Sequence, residues 1–161
     1  MNPKKQVTME RTFDAALSDV WELWTTKDGI ESWWGPEGFR VEVRSIDLRP
    51  GGTLVYLMIA DAPEMKAFMK QAGMPEATEN TLRYREVVPN KRLVYAHSTD
   101  FIPGIEQYDV THTIELFPTG DSVRMVLTFD AMHADEWTQR ATAGWEQELG
   151  KLGRALAKRR A

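Results

Sequence analysis

Trp33-Trp34-Gly35-Pro36-Glu37-Gly38-Phe39 is the stretch on which the reading of this chain turns, and Asp47-Leu48-Arg49-Pro50-Gly51-Gly52 follows it closely. Two adjacent tryptophans bury a large apolar area, and the Pro and Gly after them fix a turn. Phe39, Val41 and Val43 then alternate with Arg40, Glu42 and Arg44, the period of a strand. Gly51-Gly52 lets the chain reverse tightly. Thr53 to Ala60 is almost wholly apolar and predicts a central strand covered on both faces.

Outward from this hairpin, the N-terminal side reads as strand then helices. Val7, Met9, Arg11 and Phe13 share one face of a strand. Ser18 is positioned as a helix N-cap before Val20, Trp21, Leu23 and Trp24. Asp28-Gly29 predicts the break before a short second helix carrying Ile30, Trp33 and Trp34. On the C-terminal side, residues 61–79 predict a short amphipathic helix inserted between strands, with Met65, Phe68 and Met69 on one side and Gly73 and Pro75 ending it. Strands follow over Thr81–Val88, Arg92–Thr99, Gln107–Phe117 and Val123–Asp130, with Pro103-Gly104 in a connecting loop. From about Ala134 to Lys158 the period is helical, and Trp137, Ala141, Trp145, Leu149, Leu152 and Leu156 form one stripe. An antiparallel sheet of this length curls around a helix that covers its inner face, giving an α+β fold.

At 161 residues the chain predicts a single domain over 1–161, with no linker, repeat or low-complexity segment. The apolar share of 42% and charged share of 27% are those of a globular protein. A net charge of −4 argues against nucleic-acid binding. Lys151, Arg154, Lys158, Arg159 and Arg160 read as a solvated helix end, cations near its negative dipole. There is no cysteine, which excludes disulfides, thiolate metal sites and a cysteine nucleophile. Neither an apolar leader nor a membrane-length apolar run is present, and the expected location is cytoplasmic.

With these residues placed, the chain resembles the SRPBCC superfamily, also called START-like or birch-pollen-allergen-like. Within it, the resemblance is to bacterial homologues of the activator of the ninety-kilodalton heat-shock-protein ATPase. It rests on Val20-Trp21, the 33–39 and 47–52 stretches, Tyr84-Arg85-Glu86-Val87-Val88-Pro89 with Arg92-Leu93, and Gly144-Trp145 with Leu149 and Leu152. The resemblance implies a helix-grip fold, a seven-stranded antiparallel sheet gripping the C-terminal helix with a cavity between them. The 61–79 insert departs from the simple turn expected at that position.

The alternation around His112 places it on the apolar inner face, and His97 shares parity with Leu93 and Tyr95. Each is either a ligand-orienting group, a general base or a hydrogen-bonded core residue. Glu86 shares parity with Tyr84 and Val88 and is expected to point inward, with Arg49 as a candidate partner. Glu148 lies beside the buried stripe of the last helix. Two inward carboxylates suit acid–base chemistry or a structural ion pair. Trp33, Trp34, Tyr56, Met58, Tyr95, Tyr108, Met125, Phe129 and Trp145 are core residues or the walls of a small-molecule site of about 300–1,000 Å³. Met65, Phe68 and Met69 would cap such a site or pack permanently at the sheet edge. Nothing gives converging metal ligands, and no cofactor is expected. No phosphate loop or nucleophile elbow occurs either.

Three functions stay open at this point. The first is a carrier or sensor for a small hydrophobic or aromatic molecule. The second, implied by the resemblance, is a stress-response co-regulator that binds a chaperone and stimulates its ATPase. The third is a cyclase- or hydratase-type enzyme using His112, His97 or Glu86. Both a monomer and a homodimer fit the sequence.

Overall fold

The computed structural model describes residues 5–99 and 104–160. The first four residues, Pro103 of the predicted loop and the side chains of Thr99 and Arg160 lie outside the described part. The chain runs β1 (Gln6–Phe13), α1 (Leu17–Thr25), α2 (Lys27–Glu31), β2 (Phe39–Ile46), β3 (Thr53–Ala60), α3 (Pro63–Gln71), β4 (Ala77–Val88), β5 (Arg92–Thr99), β6 (Tyr108–Thr119), β7 (Ser122–Asp130) and α4 (Asp135–Arg160). The seven strands form one antiparallel sheet in the order β1-β7-β6-β5-β4-β3-β2. It is the expected α+β helix-grip arrangement: Leu149, Leu152 and Leu156 of α4 are buried with the inner-face residues Leu54, Leu82, Ile114, Met125 and Leu127. No described helix is long and apolar enough to cross a membrane.

Local departures from the sequence reading have physical causes. The α1–α2 break falls at Thr26, whose Oγ1 accepts the Gly29 N–H at 3.0 Å, and not at Asp28-Gly29. Gly29 lies inside α2, and the position needs glycine because a Cβ there would meet the Glu22 carbonyl at 2.2 Å. Ser18 is helical, and Ala16 occupies the N-cap without a side-chain bond. β3 is buried on one face only. Leu54 and Tyr56 point in, while Val55 and Leu57 are half-buried beside Thr81 and Glu79 of β4. β4 begins four residues before the predicted Thr81, because Ala77–Asn80 pair with β3 although they bury little. The inserted helix shrinks accordingly to nine residues.

The 47–52 stretch turns as its glycines demand. Gly51 has φ +87°, and a Cβ on Gly52 would lie 2.1 Å from the Asp47 carbonyl. The backbone N–H of Gly51 also donates to the Tyr84 carbonyl at 2.8 Å, tying this turn to β4.

Three of the basic residues of α4, Lys151, Arg154 and Arg159, make tertiary contacts beyond the helix-end role expected from sequence. Arg159 pairs with Asp19 and Glu22 of α1, and Arg154 pairs with Glu37. Lys151 Nζ donates to the carbonyls of Gly35 at 2.9 Å, Phe39 at 3.2 Å and Trp34 at 3.4 Å.

Candidate functional site

The two tryptophans of the 33–39 stretch take different places. Trp33 is core: its Nε1 donates to the Leu23 carbonyl at 2.7 Å, and its ring meets Trp24 edge-on at 4.7 Å. Trp34 stands at the start of a continuous aromatic wall. Its ring is perpendicular to Tyr56 at 5.4 Å and tilted against Tyr95 at 6.3 Å. Tyr95 stacks on His112 at 4.9 Å, and His112 reaches Trp145 of α4 at 5.7 Å. The alternation of β3, β5 and β6 sends these side chains inward, and α4 closes the wall from the other side.

Between that wall and α4 lies a cavity of about 210 Å³. Trp34, Tyr56, Met58, Tyr95, His97, His112, Trp145 and Glu148 line it, as do three residues not anticipated from sequence, Leu82, Ala141 and Gly144. Leu82 shares the inward face of Tyr84. Ala141 and Gly144 sit on the buried side of α4, where a small residue opposite large rings leaves room. The volume falls below the common small-molecule range of about 300–1,000 Å³.

The remaining sequence candidates lie elsewhere. Met125 is fully buried and its Sδ accepts the Trp24 indole N–H at 3.2 Å. Phe129 stacks on His112 at 5.6 Å but does not line the cavity. The Tyr108 hydroxyl bonds His133 Nδ1 at 2.8 Å beside a separate surface groove. Glu86 corrects the expected inward carboxylate. A bulge between Tyr84 and Glu86 shifts the strand's parity, so Val87 packs on the core while Glu86 is exposed beside Arg92. Arg49 pairs with Asp47 instead. Met65, Phe68 and Met69 contribute nothing to the lining. Met65 packs on Gly38, Met69 is buried and Phe68 is 60% exposed. The helix is held there by the N–H groups of Asp61 and Ala62, which donate to the Gly38 carbonyl.

The polar groups of the cavity are unusual for so apolar a place. Glu148 Oε1 accepts the Gly35 N–H at 2.9 Å. Burial raises its carboxyl to about 7, against the opposing pull of the Gly35 N–H and of Lys151. Burial lowers His112 to about 3, with His97 adding to the effect, so the imidazole is neutral. The Trp34 Nε1 is buried without a hydrogen-bond partner. The Tyr56 hydroxyl lies 3.3 Å from His97 Nε2, and burial pushes the phenols of Tyr56 and Tyr95 well above their ordinary range. No group of three or more metal-ligating side chains occurs among the described residues. A larger groove of about 570 Å³ borders the end of α4, but its Arg154 and Arg159 are already paired with acidic side chains.

A curved antiparallel sheet closed over one long C-terminal helix, with an aromatic cavity between them, defines a helix-grip domain. The family model described as Activator of Hsp90 ATPase homolog 1-like protein matches residues 14–157, and the chain belongs to that family. Solved structures share the fold. A protein from Chromobacterium violaceum is 23% identical, with 94% of this chain and 96% of that one covered and a TM-score of 0.77. The AHSA1 protein from Silicibacter pomeroyi is 20% identical, with 96% and 99% covered and a TM-score of 0.75. A protein from Arthrobacter aurescens is 18% identical, with 95% and 86% covered and a TM-score of 0.75. At these identities the likeness is one of fold. No curated protein matches the chain.

Proposed function

We propose that this protein binds a small, largely apolar molecule in the cavity between the sheet and α4, as a carrier or sensor. The observation that carries this reading is the lining itself. Four aromatic rings from the 33–39 stretch, β3, β5 and α4 line a partly open recess of about 210 Å³ together with Glu148, His97 and His112. A recess lined by large apolar faces with a few polar groups is the ordinary build of a small-molecule site. The volume suits one ring or a short branched chain, not a polycyclic compound. Native mass spectrometry of protein from its own host, followed by thermal shift with single-ring aromatics and short apolar molecules, tests the reading. A stoichiometric adduct, or a concentration-dependent rise in Tm, is expected. A bare mass together with an unmoved Tm at saturating concentrations of the whole panel overturns it.

A chaperone-directed role, suggested by the family's description, is the second reading. The exposed Phe68 and Met74, on and just after α3, favour it as apolar contacts facing solvent. An ATPase assay with the cognate chaperone decides it, and an unchanged rate at saturating protein rules it out. An enzyme reading now rests on His97, His112 and Glu148, since Glu86 faces away from the cavity.

A further inference from the structure

The cavity contains one acidic side chain and a wall of aromatic faces. Tyr56, Trp34, Tyr95, His112 and Trp145 follow one another as neighbouring rings, with centroids 4.9–6.3 Å apart. Glu148 stands one turn beyond Trp145 on the same helix and lines the same space. Only its Oε1 is engaged, by the Gly35 N–H. Oε2 has no hydrogen-bond partner among the described residues.

The nearby cation does not neutralise it directly. Lys151 spends its ammonium on the carbonyls of Trp34, Gly35 and Phe39 and makes no ion pair with Glu148 among the described residues. Both His97 and His112 line the cavity, and His112 is kept neutral by burial. Aromatic faces attract a cation through their quadrupoles, and a carboxylate removed from water gains most from a charged partner.

We infer that the cavity selects a small organic ammonium ion, an amine whose cationic head sits among these rings against Glu148 Oε2 and whose apolar body fills the remaining space. This rests on the binding reading above and narrows its ligand class. The cost that burial now imposes on the Glu148 carboxylate would be relieved when such a cation arrives, which gives the amine an advantage over a neutral molecule of the same shape.

Benzylamine and benzyl alcohol are matched probes, differing in ammonium against hydroxyl. Calorimetric titration of the full chain above the Glu148 transition should give benzylamine the tighter binding by about tenfold or more. In Glu148→Gln the amide still accepts the Gly35 N–H, and a thermal melt checks that the fold is kept. That variant should lose the preference for the amine over the alcohol. Equal affinity of the parent for both probes overturns the amine inference and leaves the binding reading intact. A preference for the amine that survives in Glu148→Gln also overturns it, since the charge recognised would lie elsewhere. Binding of neither probe overturns the amine inference too, and the wider panel described above then decides the binding reading separately.

Discussion

Glu148 Oε1 accepts the backbone N–H of Gly35 at 2.9 Å, joining α4 to the turn that follows the two tryptophans. The next turn of the helix adds Lys151 on three carbonyls of the same stretch, and Gln147 accepts the Glu37 N–H at 3.0 Å. The 33–39 stretch is thus held by its backbone as much as by its indoles. Because Gly35 is buried, Glu148→Ala leaves its N–H unpaired and should cost about 1–3 kcal/mol, while Glu148→Gln should keep the bond. Urea unfolding of the two variants checks this, and equal losses would refute it.

The pH dependence of stability should contain two opposed contributions. Glu148 sits at about 7 in the folded protein against an ordinary 4.5. The folded state therefore holds a proton that the unfolded chain has released, and this contribution falls as pH rises between those values. His112 sits at about 3 against an ordinary 6.5, so its contribution rises with pH between those values. The windows overlap, and the parent's Tm should be nearly level where they do. Glu148→Gln should unmask a rise with pH, and His112→Phe a fall. Calorimetric melts across the overlap test the pair; level profiles in both variants would exclude it.

Gly51 and Gly52 should respond differently to alanine. At Gly51 a Cβ meets nothing within 4 Å, and the cost is the left-handed backbone at φ +87°, about 1 kcal/mol. At Gly52 the Cβ strikes the Asp47 carbonyl, which is backbone and must move, so Gly52→Ala should cost about 2 kcal/mol or more. Chemical denaturation orders the two.

Gly144 lies inside α4 and lines the cavity, and a Cβ added there would meet nothing within 4 Å. Gly144→Ala should stabilise the protein by about 0.5–1 kcal/mol through helix propensity. Gly144→Leu should occupy the cavity and abolish ligand binding while the domain stays folded. Retained binding in Gly144→Leu would place the ligand elsewhere.

Trp33→Phe removes the donor to the Leu23 carbonyl and part of a fully buried ring, and should cost about 2–4 kcal/mol. Its effect on ligand affinity should be small, because Trp33 does not line the cavity. A large affinity loss at preserved stability would contradict that division between the two tryptophans.

The order of elements, the parity of most strands and the buried stripe of α4 were readable along the chain. These follow from short-range periodicity, which fixes the face on which a side chain stands. His112, Tyr95 and Trp145 were legible as inward for that reason, whereas the uniformly apolar β3 left the face of Tyr56 open. Glu86 was not, because one extra residue at the bulge reverses parity without leaving a mark in the alternation. The helix α3 was legible as amphipathic, but only its anchoring on Gly38 decided that it contributes no cavity wall. Likewise, only the packing brings Glu37 to Arg154 and Asp19 and Glu22 to Arg159 near the end of α4. What tertiary structure alone decided is which side chains from distant parts of the chain share one space. Glu148 meets Gly35 across 113 residues, and that contact, with the rings around it, depends on how the sheet curls over the helix and not on any local pattern.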